Sequence, residues 1–112
     1  MIPLITNNLQ KIRSACREYD VEALWVFGSA VRGDWVEGKS DIDFIARFGA
    51  SERSLFRQHM GFIVLMSDIL GVPVDVVDSR SIKKPEFRDE VGRTKELLYE
   101  NAHHTVPAGR SR

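Results

Sequence analysis

A run of five apolar residues, ALWVF at positions 23–27, stops at the small pair Gly28-Ser29. Such a run, bounded by a glycine, is typical of a buried strand that ends in a turn. The segment DIDFIARF at 41–48 alternates polar and apolar residues and then becomes largely apolar, which predicts a second strand. VDVV at 74–77 is rich in β-branched residues and predicts a third. These short strands require a sheet.

Helices are predicted before and between these strands. Ser29 is a good N-cap for a short helical turn at 30–33. Ser51 is expected to open a long helix that reaches about residue 70. The apolar stripe of a first helix, at 4–19, comprises Ile5, Leu9, Ile12, Cys16 and Tyr19. The stripe of the long helix comprises Leu55, Phe62, Met66 and Ile69 or Leu70.

The chain after the long helix is expected to hold one strand and one more helix. Gly71 ends the long helix as a C-cap, and Pro73 prevents its continuation. Pro85 suits the first turn of a last helix, which would bury Val91, Leu97 or Leu98, and Tyr99. The order of elements predicts one α/β or α+β domain over residues 1–102, a small mixed sheet flanked by helices. Residues 103–112 are expected to form a disordered tail.

Composition narrows the class of protein. The 112 residues are 43% hydrophobic and 29% charged, which is typical of one folded domain. The N-terminus has no signal-peptide pattern and no apolar run approaches the ~20 residues of a membrane span, so we expect a soluble cytoplasmic protein that binds no membrane. Sixteen basic residues balance sixteen acidic ones, so direct binding of nucleic acid is not expected.

Two isolated residues are interpreted as structural. Cys16 is the single cysteine, which excludes an internal disulfide and a multi-cysteine metal site, and its helical pattern predicts a small core residue. His59 falls on the apolar face of the long helix. We interpret it as a histidine at the edge of the core rather than as a ligand.

Asp41, Asp43 and Asp75 are the candidate chemical groups. Alternate side chains of a strand share a face, so Asp41 and Asp43 are expected to point to one side while Ile42 points into the core. Two like charges on one face repel, and a bound cation reverses that cost. Mg²⁺ prefers such hard oxygen ligands, and two ions can clamp a phosphoryl transfer. Asp75 lies in an apolar strand, and could reach the same ions if the two strands pair.

The Gly28-Ser29 turn fits the phosphate end of such a site. Glycine lets the backbone approach a phosphate closely, and the Ser29 hydroxyl adds a donor. Arg32 lies about one turn further on and could add charge. Each feature also has a plain alternative: Gly-Ser as a simple turn, Asp-x-Asp as a solvated strand end, Asp75 as an edge residue facing water, and Arg32 with Asp34 as a surface pair. The set as a whole favours the chemical interpretation.

The sequence GSAVRGDWVEGKSDIDF resembles the signature of the nucleotidyltransferase superfamily, whose fold also supplies the palm of polymerase beta, and within it the minimal nucleotidyltransferase (MntA-like) group. The resemblance covers roughly residues 20–100. It implies that Gly28 and Ser29 hold a nucleotide triphosphate and that Asp41 and Asp43 bind catalytic Mg²⁺. It also implies that Asp75 is the third carboxylate, which helps to activate an attacking hydroxyl.

The chain departs from this group in one spacing. Eleven residues, 30–40, separate Gly-Ser from the first aspartate, where the family usually has ten. The extra residue falls in WVEGK, where a loop can absorb it. Trp35 in this loop is interpreted as a residue folded over the core, with stacking on a base or a partner as the alternative.

The resemblance also implies a partner. Minimal nucleotidyltransferases resemble antitoxins of helical HEPN-domain toxins, and the chain has no length for the second domain that holds small substrates in larger relatives. We therefore expect transfer of AMP from ATP to a tyrosine of a cognate HEPN toxin. The alternatives are a non-catalytic binding antitoxin or scaffold of the same fold, and a small-molecule nucleotidyltransferase of the aminoglycoside type.

Overall fold

A computed structural model describes residues 1–82 and 94–101 of the chain. Within them four strands form one sheet in the order β3-β2-β1-β4. The strands are β1 Val21–Phe27, β2 Ile42–Phe48, β3 Val74–Asp78 and β4 Glu96–Glu100. β1 is antiparallel to both β2 and β4, whereas β3 runs parallel to β2. The predicted α/β architecture with a small mixed sheet is confirmed.

The helices of the described residues precede, interrupt and follow the first two strands. They are α1 Pro3–Thr6, α2 Leu9–Glu18, α3 Ser29–Arg32 and α4 Leu55–Leu70, and a 3₁₀ turn at Ser79–Ser81 follows β3. α2 packs on β1 and α4 packs on β3, and the two helices also pack on each other. No helix in residues 1–82 or 94–101 is long and apolar enough to cross a membrane.

The single helix predicted at 4–19 is wrong, because the chain forms two helices there. α1 ends at Thr6 and α2 begins at Leu9. The side-chain amide of Asn8 donates to the carbonyl oxygen of Leu4 at 2.8 Å. Asparagine side chains that bond the backbone compete with continuous helical hydrogen bonding, and two asparagines stand together at 7 and 8.

The long helix begins at Leu55, four residues later than Ser51. Its N-cap is Ser54, whose side chain accepts a hydrogen bond from the backbone N–H of Arg57. Ser51 instead accepts from the N–H of Arg53 within the preceding turn. The C-cap at Gly71 is confirmed, with a left-handed φ of 70°.

The predicted stripe of α4 is correct in part. Phe62, Met66 and Leu70 are buried, but Leu55 is exposed and the buried residue of the first turn is Gln58. Positions 58, 62, 66 and 70 are four apart, so Leu55 is one position out of line. The amide of Gln58 donates to the carbonyl oxygens of Tyr19 at 2.9 Å and Gly49 at 3.0 Å, which explains a buried polar side chain.

The last predicted helix is wrong where the structure describes it. Leu97, Leu98 and Tyr99 lie in β4, and Leu97 pairs with Trp25 of β1. The otherwise unpaired edge of β1 supplies the backbone partners that make a strand favourable there. Pro85 and Val91, the other residues of this prediction, lie outside the described residues, as does the tail at 103–112.

The core lies between the sheet and its two longer helices. Ile42 and Phe44 of β2 are fully buried, as predicted for Ile42, whereas Asp43 and Arg47 are only half-buried. This alternation places the polar residues of β2 on the sheet face that α4 does not cover. Cys16 is confirmed as a core residue, and burial raises the pKa of its thiol to about 12.

Candidate functional site

The sheet brings Asp43 and Asp75 side by side. They are partners in the parallel register of β2 and β3, two strands that the sequence separates by a helix. Neighbouring strands lie about 4.8 Å apart, so the side chains of register partners are neighbours on one face. β2 and β3 are therefore paired, which is the condition under which Asp75 was expected to reach the same ions as Asp43.

The backbone of Gly28 lies beside Asp43 on the β1 side, opposite Asp75. Phe27, the last residue of β1, pairs with Asp43 across the antiparallel register. Gly28 follows with φ 75° and ψ −145°, a conformation accessible essentially only to glycine. A Cβ at this position would lie 3.3 Å from Oδ2 of Asp43. The small residue thus lets the start of α3 pass directly beside the carboxylate.

Ser29 and Arg32 are the first and last residues of α3, a single turn of helix. The predicted N-cap role of Ser29 is wrong: Gly28 is the N-cap, and no side chain caps the helix. Gly28 holds the turn through its carbonyl oxygen, which accepts from the N–H groups of Val31 at 3.0 Å and Arg32 at 3.1 Å. The Ser29 hydroxyl is therefore not used to cap the turn.

Arg32 takes part in two interactions. Its Nε lies 3.5 Å from Oδ1 of Asp34, and both side chains are exposed, as the surface-pair alternative predicted. The positive charge of its guanidinium also opposes in part the rise in the pKa of Asp43 that burial and the neighbouring aspartates cause. Arg32 therefore contributes positive charge at the edge of the carboxylates.

Asp41 immediately precedes β2 and is exposed, as is Asp75. Burial raises the pKa of Asp43, and the negative charges of Asp75 and then Asp41 raise it further. The three aspartates are therefore one electrostatic group centred on Asp43. Asp78, three residues after Asp75, is paired instead with Arg80, whose guanidinium lies 2.9 Å from its carboxylate and lowers its pKa.

The donor set fits Mg²⁺ together with a phosphate ligand. In residues 1–82 and 94–101 no three acidic, histidine or cysteine side chains converge as a complete metal cage. Mg²⁺ does not need one, since it usually takes one or two carboxylates and fills the remaining positions with water and substrate phosphates. Burial raises the pKa of Asp43 most, repulsion from Asp75 and Asp41 raises it further, and a bound cation would reverse that repulsion.

The loop between α3 and β2 is a closed local turn. The N–H groups of Lys39 and Ser40 donate to the carbonyl oxygen of Val36, and the Ser40 hydroxyl accepts from the N–H of Val36. Gly38, at φ 81°, lies inside this turn. The end of the eleven-residue spacer is therefore folded into a hydrogen-bonded turn just before Asp41 and β2. Trp35 packs against the core, which confirms its structural interpretation.

His59 has a contact near the site that the sequence did not reveal. Its Nε2 lies 2.6 Å from the carbonyl oxygen of Val76, the residue after Asp75. A carbonyl only accepts, so this nitrogen carries a hydrogen and donates. Its ring also packs on Phe48, with centroids 5.0 Å apart. The bond joins residues 17 apart in the chain, and no local sequence pattern predicts it.

A model of the nucleotidyltransferase domain family matches residues 9–100, which contain every residue of the site. The chain belongs to the nucleotidyltransferase domain family. The enzyme class expected from the sequence is thereby confirmed.

Two proteins of Methanocaldococcus jannaschii, whose names propose protein adenylyltransferase activity, are similar to this nucleotidyltransferase in sequence. One is 30% identical over 82 residues, which cover 73% of this chain and 79% of the relative. The other is 31% identical over 99 residues, which cover 85% of this chain and 93% of the relative.

Three solved structures share the fold. The structure of a proposed minimal nucleotidyltransferase has a TM-score of 0.67 and 29% identity, over 85% of this chain and 95% of that one. A toxin–antitoxin structure with AMP-PNP has a TM-score of 0.66 and 21% identity, over 87% of this chain and 77% of that one. A complex of tri-AMPylated Shewanella oneidensis HEPN toxin with MNT antitoxin has a TM-score of 0.59 and 19% identity, over 88% of this chain and 75% of that one. These likenesses confirm the nucleotidyltransferase fold and the minimal nucleotidyltransferase resemblance.

Proposed function

We propose that this nucleotidyltransferase moves AMP from ATP to a tyrosine hydroxyl of a HEPN-domain toxin, in a reaction that depends on Mg²⁺. The observation that carries the proposal is the environment of Asp43. Asp75 is its register partner on one side, and the backbone of Gly28 passes beside it on the other. Carboxylates for a metal and a close backbone approach for a phosphate are the two parts that nucleotide transfer needs.

Asp41, Asp43 and Asp75 would hold two Mg²⁺ ions, and Gly28 and Ser29 would bind the triphosphate. When bound, the ions supply positive charge that offsets the charge developing on the phosphate oxygens. Arg32, at the edge of the same group, adds to this charge. Burial, and then the charges of Asp75 and Asp41, make the ionised form of Asp43 unfavourable and raise its pKa, and a bound cation would offset this cost.

The transfer itself is one displacement at phosphorus. The tyrosine oxygen attacks the α-phosphorus of ATP, so a new O–P bond forms while the bond from that phosphorus to the bridging oxygen breaks. Pyrophosphate leaves with the bonding electrons. Asp75 accepts the phenolic proton and passes it to water. Positioning and charge neutralisation account for most of the acceleration in phosphoryl transfers of this kind.

A HEPN-domain toxin as the acceptor is supported by the relatives rather than by the site geometry. The names of the two similar Methanocaldococcus proteins propose that they adenylylate proteins. Solved structures with the same fold include one from a toxin–antitoxin complex with a nucleotide analogue and one from a complex with an AMPylated HEPN toxin. A protein hydroxyl, and specifically a toxin hydroxyl, is therefore the acceptor to test first.

The test incubates the protein with labelled ATP, Mg²⁺ and a HEPN-domain protein from the same genome. We expect label on the toxin, with the added mass of AMP on a tyrosine peptide, and loss of toxin RNase activity. Removing Mg²⁺ with a chelator should stop labelling. Asp43→Asn should reduce labelling at least ~10³-fold, since an electrostatic group in the reaction centre is lost.

The matched control is Glu52→Gln, which removes one exposed negative charge beyond the opposite end of β2. It should label the toxin at the wild-type rate. Equal labelling by Asp43→Asn and wild type would overturn the catalytic assignment. If Asp43→Asn loses labelling but still neutralises the toxin, binding alone is enough for antitoxin action, as the scaffold alternative holds.

A further inference from the structure

The outward side of α4 is apolar, although it faces away from the core. Phe56, Met60 and Val64 recur every four residues and therefore share one face of the helix. Their exposed fractions are 74%, 42% and 56%. A contiguous exposed apolar stripe on a helix marks an interaction surface more often than isolated apolar residues do.

A groove runs along this stripe, between α4 and the end of α2. It has a volume of about 550 Å³, and Tyr19 lies along its other wall. Gly61 allows this packing, because a Cβ there would collide with the Tyr19 ring. Arg53 lies over the same ring, 4.3 Å from its centroid, and donates to the carbonyl oxygen of Glu18 at 3.0 Å. The groove is therefore rigid on the Tyr19 side and apolar on the α4 side.

The two ends of the groove carry opposite charges. Arg57 is exposed near the N-terminal end of α4, and Asp68 is exposed near its C-terminal end. Among residues 1–82 and 94–101, neither side chain has an ion-pair partner. The two residues are eleven positions apart, about 16.5 Å along the helix. Each end is thus complementary to the opposite end of an identical helix laid antiparallel to it.

We propose that this face, defined by Phe56, Arg57, Met60, Val64 and Asp68, binds the same face of a second copy of the chain. A two-fold axis near residue 62 makes the two α4 helices antiparallel. Met60 then lies opposite the partner's Val64, and Arg57 lies within one turn of the partner's Asp68. A two-fold interface is self-complementary, so each contact occurs twice.

The dimer leaves both carboxylate groups accessible. α4 packs on the sheet face that buries Phe44, whereas Asp43 alternates to the opposite face. Pairing through α4 therefore places the two sites on opposite outer sides of the assembly. The proposal does not depend on the reaction proposed above, since it concerns the other face of the sheet.

The first test measures the mass of the full chain by sedimentation velocity over a concentration series, with no toxin present. The wild type should form a dimer. Met60→Glu should raise the dimer dissociation constant at least ~30-fold, since a charge replaces a central apolar contact. Leu97→Glu is the matched control: Leu97 is 50% exposed but lies on β4, so the dissociation constant should not change. Circular dichroism checks that both variants fold.

The second test uses the symmetry of the proposed interface. Arg57→Asp or Asp68→Arg alone places like charges together twice and should weaken the dimer at least ~10-fold. An equimolar mixture of the two single variants should dimerise again, because each mixed dimer restores two opposite-charge contacts. Only an interface in which residue 57 meets residue 68 of the other copy gives this result.

Three outcomes would overturn the proposal. The first is a wild-type chain that remains a monomer at high concentration. The second is a dimer that Met60→Glu leaves intact. The third is a monomer whose toxin binding is lost in Met60→Glu, because the α4 face would then bind the toxin rather than a second copy.

Discussion

At the scale of single residues, Gly28 is constrained both by its backbone conformation and by its contact with Asp43. Substitutions at Gly28 and at a second glycine distinguish the two. Its φ of 75° disfavours any side chain, and a Cβ would also press on Asp43 at 3.3 Å. We expect Gly28→Ala to destabilise the fold by about 1–2 kcal/mol and to reduce nucleotide transfer strongly. Urea unfolding and the labelling assay measure the two effects.

Gly71 supplies the control for Gly28. It has a similar φ of 70°, but nothing lies within 4 Å of its Cβ position. Gly71 lies in the left-handed helical region with ψ 15°, which alanine tolerates better than the conformation of Gly28. Gly71→Ala should therefore cost less unfolding free energy than Gly28→Ala, while transfer by the folded protein remains near the wild-type rate. Equal losses of transfer in both variants would mean that backbone strain, rather than the approach to Asp43, explains the effect.

Asp43 is expected to lower the stability of the fold when it ionises. Burial, then Asp75 and Asp41, raise its pKa above the ordinary 3.8, so the folded state binds this proton more tightly than the unfolded state does. The stability from this group is therefore fully present below pH 3.8 and is lost as the pH rises through the raised pKa. Asp43→Asn removes the charge, so the variant does not lose this stability as the pH rises.

The measurement compares urea unfolding of Asp43→Asn and wild type at about pH 3 and about pH 7 without divalent metal. The variant should be the more stable at pH 7, and the difference should shrink toward zero at pH 3. Mg²⁺ at ten times its dissociation constant should stabilise the wild type by about 1.4 kcal/mol and the variant by less. A variant that is less stable than wild type at pH 7 would contradict the electrostatic account.

At the scale of elements, β3 depends on α4 for its position. It lies at one end of the described sheet and pairs only with β2 there, and the His59 bond to the carbonyl oxygen of Val76 attaches it to the helix behind. We expect His59→Leu to destabilise the fold by about 1–2 kcal/mol, because it leaves that carbonyl without its donor. Unfolding by urea gives the free energy.

Hydrogen exchange of the backbone amides locates the effect of this substitution. Faster exchange should concentrate in Val74–Asp78 rather than spread evenly through the sheet. His59→Gln keeps a side-chain donor and should recover part of the loss. If both variants lose the same stability and exchange rises uniformly, the ring packing on Phe48 matters more than the hydrogen bond.

At the scale of the whole molecule, two phenylalanines of α4 separate the core from the surface. Phe62 is fully buried and packs near Phe48, with ring centroids 6.1 Å apart, whereas Phe56 is 74% exposed. We expect Phe62→Ala to cost about 3–5 kcal/mol of unfolding free energy, a large part of the total for a domain of this size.

Phe56→Ala is the matched control for that measurement. It should change the unfolding free energy by no more than about 0.5 kcal/mol when the protein is dilute enough to be monomeric. Urea unfolding monitored by circular dichroism serves for both variants. A comparable loss at Phe56 would mean that the outward face of α4 is covered by the same chain, contrary to its observed exposure.

The positions of the first three strands along the chain, and the choice of candidate residues, came largely from local patterns. The run ending at Gly28 and the alternation after Asp41 are properties of a few adjacent residues, and a strand's period of two decides which side chains share a face. The family signature lies within the same short stretch. The break at Asn7 and Asn8 was also a local signal, and the helical periodicity of residues 4–19 concealed it.

Other features depend on partners that are distant in the chain. Leu97–Tyr99 have an apolar pattern that suits a helix, and they form a strand because the edge of β1 offers backbone partners. Gln58 is buried instead of Leu55 because carbonyl oxygens of Tyr19 and Gly49 meet its amide. Neither outcome has a signal in the residues beside it.

The sequence by itself therefore determined the family and the order of the first three strands along the chain, and it predicted the candidate chemical groups, since these depend on residue type and short spacing. The tertiary structure decided how the groups meet. Asp75 becomes the partner of Asp43 only through the parallel register of β3 on β2, and Gly28 is required as glycine because Asp43 lies beside it. Register and close approach arise from packing between distant segments, and residue spacing along the chain does not encode them directly.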